Sequence, residues 1–334
     1  MTELLSRRLQ DISPKAYEHP ADRAATAALQ SIPGLDPAIR ALVEMRYERA
    51  YRQTFMASAM RIGPEQLPRV WSQWHAAIDT LDLADSFDVY VRQSPLVNAS
   101  AIGASKPMVV VNSASVTLLD DQELQTILAH EAGHILSDHT LYQTALVTVL
   151  QLSPLIRLPV LGGLPMLAIR SILLEWFRAA ELSADRAATL VNRDPLVTSR
   201  TLLVLASGLP SAELNLDAFL RQGQEYREWD SAWDRLSRRV TELNLTHSYP
   251  VGRVAELTEW VRSGDYDRII GGSYRKRGEK IEAGVEADAA FQHYRDRFQR
   301  IIADTSETLA KVPDRMADWL RKTGAAARGS ESES

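Results

Sequence analysis

Two histidines four residues apart carry the clearest chemical signal in this sequence of 334 residues. His130 and His134 enclose Glu131 in the pattern H-E-x-x-H. Residues four apart lie on the same face of a helix, so both imidazoles can bind one metal ion. Glu131 stands beside the first histidine, where its carboxylate can reach a water molecule on that ion. The pattern therefore predicts a metal centre that activates water for hydrolysis.

The residues before this motif predict the helix that it needs. Asp120 is a candidate N-cap, and Glu123 follows it at the spacing of a capping box. Apolar residues then recur at helical spacing: Leu124, Ile127, Leu128, Ile135 and Leu136. We therefore predict an amphipathic helix of roughly 18 residues through the motif. The alternative is a surface helix on which two solvated histidines and a glutamate meet by coincidence.

A third ligand is required, because a catalytic zinc site takes three protein ligands and leaves a fourth position for water. The segment Glu175–Ala188 is rich in alanine and has a second strong helical pattern, with Glu181 and Asp185 one turn apart. Glu181 could bind the ion directly. Asp185 could accept the outward N–H of His130 and fix its tautomer, as partners of metal-bound histidines do. The alternative is an exposed helix with ordinary acidic residues.

The stretches His130–His134 and Glu181–Asp185 together resemble the gluzincin peptidases of the HtpX and CAAX prenyl endopeptidase family. His139 is similar to the histidine that usually closes the motif helix of this family. The resemblance covers roughly residues 85–260 and is strongest at the two metal-binding stretches. It implies a zinc-dependent endopeptidase with one Zn²⁺ per chain, held by the two motif histidines and Glu181, with Glu131 as general base.

The same resemblance points to a strand that binds substrate. Asn98 and Ala99 begin a stretch similar to the N-A-x-A sequence of the family. The segment that follows, with Val109, Val110 and Val111, resembles the edge strand that pairs with substrate. An extended polypeptide would lie beside this strand and bind its free backbone groups.

The residues around position 250 resemble a third family motif, a His-Pro pair followed by an arginine. His247 and Arg253 match it, although Ser248 stands where proline is usual. We take His247 and Arg253 as candidates for stabilising the oxyanion, with Tyr249 as a weaker candidate. The alternative for Arg253 is a buried salt bridge that ties the C-terminal part of the chain to the metal-binding helices.

These patterns predict a mainly α fold of the α+β class, with a zincin-like helical domain and a small β-sheet beside the H-E-x-x-H helix. We divide the chain into an N-terminal helical region (1–84), a metallopeptidase core (85–262), a C-terminal helical extension (263–322) and a disordered tail (323–334). The tail is assigned from its glycine, alanine, serine and glutamate composition.

An apolar segment, 141–174, separates the two metal-binding stretches. In HtpX-like relatives such an insertion can be a transmembrane hairpin, but a spanning helix needs about 20 predominantly apolar residues. Here the apolar run is interrupted, for example at Pro154, Arg157, Pro159 and Gly162. We predict a helical hairpin with a tip rich in proline and glycine. It either packs on the core of the protein or forms a lid or a membrane-surface contact.

The composition narrows the function and the location. Hydrophobic residues make up 45% and charged residues 24% of the chain, as in ordinary globular proteins. The net charge of −5 gives no basic surface for nucleic acid. The absence of cysteine excludes disulfides and thiolate ligands. The N-terminus lacks the apolar run of a signal peptide, so we expect a cytoplasmic protein, associated with membrane if 141–174 makes that contact.

We therefore expect a zinc metalloendopeptidase that hydrolyses peptide bonds of extended or unfolded polypeptides. The alternative is a zinc-stabilised module of the same fold that binds without catalysis or is latent. The intact Glu131 argues against the non-catalytic form. The identity of the substrate, the cleavage preference and the oligomeric state stay open.

Overall fold

The computed structural model describes residues 8–43, 47–83, 87–152, 160–161, 164–228, 249–279 and 285–310. The described helices are α1 (Pro20–Gln30), α2 (Leu35–Leu42), α3 (Glu48–Ser58), α4 (Pro68–Thr80), α5 (Ser113–Leu118), α6 (Asp121–Leu136), α7 (Thr140–Leu152), α8 (Met166–Asn192), α9 (Pro195–Ser207), α10 (Leu216–Glu228), α11 (Pro250–Arg262), α12 (Asp265–Ile270) and α13 (Val285–Ala310). The described strands are β1 (Met60–Arg61), β2 (Asp88–Arg92), β3 (Ala99–Ile102), β4 (Met108–Asn112), β5 (Val160–Leu161) and β6 (Leu164–Pro165). Helices dominate, so the prediction of a mainly α fold of the α+β class is confirmed.

Four strands form a mixed sheet in the order β1-β2-β4-β3. β2 and β4 are parallel, with Val89 opposite Val109, and β3 is antiparallel to β4, with Ala99 opposite Val111. β4 therefore has a partner on both sides, and all of its residues are buried. The predicted edge position of Val109, Val110 and Val111 is wrong, since such an unbroken apolar run is typical of a strand buried on both faces. The edge of the described sheet on this side is β3.

The two faces of the sheet are covered by different helices. Val109 and Val111 belong to the buried cluster that contains Leu128 of α6. Val110, between them, belongs to a separate cluster with Phe55 of α3. This alternation follows from the period of two along a strand. It places the motif helix directly beneath β4 and the edge strand β3.

Buried side chains from three predicted regions share one core. Trp74 of α4, Leu128 of α6 and Ile269 of α12 lie in the same cluster. A second cluster joins Leu29 of α1 and Phe298 of α13 to the first half of α8. Helices from both ends of the chain therefore pack around the metal-binding helices.

The apolar segment 141–174 contains α7, the short hairpin β5–β6 and the beginning of α8. Leu146 of α7 and Ile172 and Leu173 of α8 are buried in the second cluster. These side chains are therefore used in core packing, one of the two alternatives for the segment. Within the described ranges, no helix combines the length and the apolar character needed to cross a bilayer. His247 and the predicted tail 323–334 lie outside the described residues.

One glutamate holds the turn between β3 and β4. The Glu48 carboxylate accepts the backbone N–H groups of Ala104 and Ser105, both at 3.1 Å, and of Lys106 at 2.8 Å. Gly103, which begins the turn, has a φ of +122°, and a Cβ there would lie 2.9 Å from the Lys106 carbonyl oxygen. Glu48 therefore fixes the end of the edge strand from α3, by bonds that sequence reasoning did not anticipate.

Replacing Glu48 by alanine should lower the free energy of unfolding by about 1.5–3 kcal/mol, because a charged acceptor is removed from several donors. Burial opposes the ionised form, but the backbone N–H bonds prevail and lower the pKa of Glu48. The contribution of Glu48 to the free energy of unfolding is therefore present above the pKa that its carboxyl group has in the unfolded chain. It is lost as the pH falls through the lower pKa of the folded protein. Urea unfolding at several pH values measures both effects. The exposed Glu65 is the control, and its alanine variant should differ from wild type by less than about 0.5 kcal/mol. Equal losses in both variants would contradict the assignment.

Candidate metal centre

The motif helix begins at the predicted capping box. The Asp120 side chain accepts the Glu123 N–H at 2.8 Å, and the Glu123 carboxylate accepts the Asp120 N–H at 3.0 Å. The reciprocal bonds satisfy two donors that a helix start leaves free. The helix then continues to Leu136, so His130 and His134 lie one turn apart on the face that meets α8.

Three ligand atoms converge between α6 and α8. His134 Nε2 lies 3.1 Å from His130 Nε2 and 3.2 Å from Glu181 Oε1. His130 Nε2 lies 3.4 Å from the same glutamate oxygen. Tetrahedral zinc with bonds of about 2.0–2.1 Å would space neighbouring ligand atoms by roughly 3.3 Å. The triangle therefore has the size that one such ion requires.

The outer nitrogens of both histidines already have partners. His130 Nδ1 lies 3.1 Å from Asp185 Oδ1, and His134 Nδ1 lies 3.0 Å from His139 Nδ1. With hydrogens on the two Nδ1 atoms, each Nε2 directs a lone pair at the Glu181 carboxylate. Three lone pairs that face one another repel unless a cation lies among them. The residues present therefore suit a bound metal ion.

The charges of the buried groups lead to the same result. Glu131, Glu181 and Asp185 are all buried and carry three formal negative charges, against one positive charge on Arg253. Arg253 donates to Asp185 from Nε and to Glu181 from Nη1, both at 2.8 Å. Burial raises the pKa of Asp185, but Arg253 outweighs it and holds that pKa below its usual value. With both histidines in the neutral form that binds a metal, two negative charges remain, which a divalent cation would balance.

The two histidines differ in their electrostatic surroundings. Burial lowers the pKa of His134 to about 4, so its ring is neutral, as metal binding requires. Burial acts in the same direction on His130, but Glu181 and Asp185 prevail and raise its pKa to about 10. The carboxylates therefore favour a positive charge at this position between the two helices.

The edge of β3 faces Glu131. The Asn112 N–H donates to the Asn98 carbonyl at 3.0 Å, so the alternation of an antiparallel ladder points the backbone groups of Ala99 and Ala101 away from β4. The Ala101 N–H donates to Glu131 Oε2 at 2.6 Å. The carboxylate next to the metal ligands is thus held against the strand that a substrate would approach.

A cleft of about 630 Å³ opens beside this carboxylate. Its lining includes Asn98 and Ala99 at the edge strand, Ile127 of α6 and Leu202 of α9. The charged residues among the described lining are the five of the metal centre, His130, Glu131, Glu181, Asp185 and Arg253. Apart from this one end, the walls of the cleft are apolar or uncharged.

The predicted site residues thus fall into three groups. The structure brings the metal-ligand candidates, Glu131, Asp185 and Arg253 into one cluster. Arg253 forms the buried salt bridge that was one of its two alternatives, while its role at the oxyanion stays a prediction. Tyr249 lines the cleft. His247 cannot be placed, because it lies outside the described residues.

Two contacts of the centre were missed from the sequence. One is the backbone N–H of Ala101, which no side-chain pattern reveals. The other is Asp22 of α1, whose carboxylate lies 3.1 Å from His139 Nε2. Asp22 lies one turn before Ala25 and shares its buried face of α1. Nothing local could identify its partner.

This site is that of a metal-dependent hydrolase, and sequence comparison gives the family. Residues 64–261 match the profile of peptidase family M48, and the chain belongs to this family. The chain is 35% identical over 274 residues to the plastoglobule-localized metallopeptidase 48, chloroplastic, of Arabidopsis thaliana, which covers 80% of this chain and 78% of the relative. It is 31% identical over 85 residues to a protease HtpX homolog of Tropheryma whipplei, covering 24% and 28% of the two chains. No solved structure matches the sequence.

The family assignment confirms the resemblance and the prediction of a metallopeptidase. The chain is a metal-dependent peptidase, and its substrates are polypeptides.

Gly133 allows α6 and α8 to approach closely. A Cβ at this position would lie 2.6 Å from the Ala187 Cβ and 3.4 Å from the Ala184 Cα. The first distance is too short for two carbon atoms that are not bonded. Neither Ala187 Cβ nor Ala184 Cα can move aside as the end of a long side chain could. A glycine inside the H-E-x-x-H motif is therefore required by packing, although it weakens the helix itself.

Gly133→Ala should lower the free energy of unfolding and weaken metal binding, because the added methyl group separates α6 from α8. Overpacking typically costs about 1–3 kcal/mol, which exceeds the gain in helix propensity of about 1 kcal/mol. Thermal unfolding and metal content after dialysis measure the two effects. Gly252→Ala is the control, since a Cβ there would meet only Tyr226 Cε1 at 3.4 Å. A Gly133→Ala protein with full stability and full metal content would contradict the packing argument.

Proposed function

We propose that this chain is a zinc endopeptidase that hydrolyses peptide bonds in extended or unfolded polypeptides. The observation that supports it is the position of Glu131, between a metal-binding triangle and the backbone of an edge strand. A metal site without such a carboxylate could simply stabilise the fold. A carboxylate beside both the metal ligands and the substrate-binding edge is what hydrolysis requires.

In this mechanism His130, His134 and Glu181 would hold the ion. When bound, zinc would supply a Lewis acid and would lower the pKa of water towards about 7. Glu131 accepts the proton of the attacking water and then delivers it to the leaving amine. Asp185 holds the ring of His130 by its bond to Nδ1.

Arg253 has a positioning role in this proposal. Its guanidinium bridges Glu181 and Asp185, so one cation fixes a metal ligand and the partner of another ligand. We retain Arg253 and His247 as candidates for stabilising the oxyanion, through donors aimed at the developing charge. The position of Arg253 in the lining of the cleft supports this role.

The substrate would bind as an additional strand at β3. The backbone groups of Ala99 point away from β4 and line the cleft. Strand addition takes its affinity from main-chain hydrogen bonds, so the substrate must be locally extended. Folded domains present few such segments, whereas unfolded chains present many. The cytoplasmic location stays a prediction, since the name of the Arabidopsis relative gives the location of that relative and not of this chain.

Glu131→Gln should retain zinc and lose roughly 10²–10⁴-fold in kcat on an unfolded substrate such as casein, because the amide cannot accept a proton. Glu181→Ala should lose both zinc and activity, because it removes a ligand. Zinc content by atomic spectroscopy and cleavage by gel electrophoresis distinguish the two variants.

These measurements also distinguish the non-catalytic alternative. If wild type and Glu131→Gln both bind one zinc and neither cleaves casein, while peptides too short to be hindered by a lid are also left intact, the catalytic proposal is wrong. Cleavage of short peptides only would indicate a latent enzyme with a restricted cleft.

The uncharged walls of the cleft predict its selectivity. Leu118, Ile127, Leu202 and Leu205 contribute to them. In a series of otherwise identical peptides, replacing an apolar residue on the cleft side of the scissile bond by lysine or aspartate should reduce kcat/KM by roughly tenfold or more, because a charge must be buried. Mass spectrometry of the products measures this. Equal cleavage of apolar and charged peptides would show that the cleft does not receive substrate side chains.

A further inference from the structure

A chain of side chains leads from the metal-binding triangle to the N-terminal helix. His134 Nδ1 lies 3.0 Å from His139 Nδ1. His139 Nε2 lies 3.1 Å from Asp22 Oδ2. Asp22 belongs to α1, which precedes the region 64–261 that matches the peptidase family. A residue outside that region therefore connects, through one histidine, to a candidate metal ligand.

The position of the Asp22 carboxylate is fixed by further bonds. The Ser183 hydroxyl of α8 donates to Oδ2 at 2.5 Å, and the Thr26 hydroxyl donates to Oδ1 at 3.1 Å. The Trp176 indole N–H in turn donates to Thr26 at 2.8 Å. Asp22 is 1% exposed. A buried carboxylate with this many donors has a definite orientation, and the His139 ring takes its orientation from it.

Only one arrangement of hydrogens along this chain leaves His134 able to bind a metal. His134 Nε2 must present its lone pair, so Nδ1 carries the hydrogen and donates to His139 Nδ1. His139 is then an acceptor at Nδ1 and carries its own hydrogen on Nε2. Asp22 Oδ2 lies within hydrogen-bond distance of Nε2 and accepts that hydrogen.

We infer that Asp22 and His139 are positioning residues for the metal ligand His134. They fix the orientation of its ring and its tautomer. Through His139, the Asp22 carboxylate also raises the basicity of the His134 nitrogen that would bind the metal. The inference rests on the metal-binding part of the proposed function. It does not depend on peptide hydrolysis, so its failure and the failure of the catalytic proposal are distinguishable.

A second metal ion is the competing interpretation of these residues. Glu18, Asp22 and His139 lie close enough to share a cation. However, Lys15 Nζ already pairs with Glu18 at 2.9 Å, and two hydroxyl hydrogens already point at Asp22. These donors compete with a metal ion for the same carboxylate groups.

The test compares zinc affinities of purified full-length variants by competition with a chelator. Asp22→Ala should weaken zinc binding by roughly 10–100-fold, the usual effect of removing an outer partner of a ligand. Asp22→Asn should weaken it less, because the amide oxygen still accepts the His139 hydrogen without the charge. Glu18→Gln is the matched control, since Glu18 is also buried in this cluster, but its side-chain hydrogen bond among the described residues is to Lys15 and not to His139. It should change the affinity by less than about threefold.

Two further readouts separate positioning from a purely structural role. In the cobalt-substituted protein, the visible absorption bands should shift in Asp22→Ala and not in Glu18→Gln. In a double-mutant cycle with His139→Ala, the Asp22→Ala change should have no added effect on zinc affinity, because Asp22 acts through His139. Circular dichroism of the metal-free proteins reports folding, and the isosteric Asp22→Asn variant serves if Asp22→Ala does not fold.

Three results would overturn the inference. The first is a folded Asp22→Ala or Asp22→Asn variant with wild-type zinc affinity and an unchanged cobalt spectrum. The second is an equal loss of affinity in Glu18→Gln. The third is a second equivalent of bound zinc in the wild type that Asp22→Ala removes, which would assign these residues to a metal site of their own.

Discussion

The close approach of α6 and α8 is the constraint on which the rest of the structure depends. Both motif histidines lie on α6 and the third ligand candidate lies on α8, so the distance between the helices sets the size of the triangle. Gly133 on one helix and Ala184 and Ala187 on the other permit that distance. The alanine-rich composition of α8 therefore serves the chemistry, although none of these alanines could take part in it.

Bringing these helices together also buries several charges, and the rest of the centre compensates them. Arg253 of α11 pairs with Glu181 and Asp185 of α8. The edge strand contributes a backbone N–H to Glu131. Buried charges are tolerated only when they are paired and hydrogen-bonded. Elements that are remote in sequence are thus held at the site by the need to compensate its charge.

The parts of the site that sequence patterns predict are those encoded within one helix. The spacing of His130 and His134, the capping box before them and the pair on α8 all follow from the helical period. Contacts between distant segments could not be predicted in this way: no local pattern pairs Asp22 with His139. The position of β4 inside the sheet could have been predicted from the sequence, since its unbroken valines indicate a strand with two neighbours. The family resemblance led instead to an edge strand, which the structure identifies as β3.

The bond between Ser183 and Asp22 joins residues separated by 161 positions, and Arg253 follows later still. During synthesis the motif helix emerges before Asp185, which holds His130, and before Arg253, which pairs with Asp185. Such long-range contacts form late, because the intervening chain must first be closed into a loop. A nascent chain that ends before α11 lacks the guanidinium that pairs with Glu181 and Asp185. The order of the elements thus delays assembly of the complete centre until α11 has been synthesised.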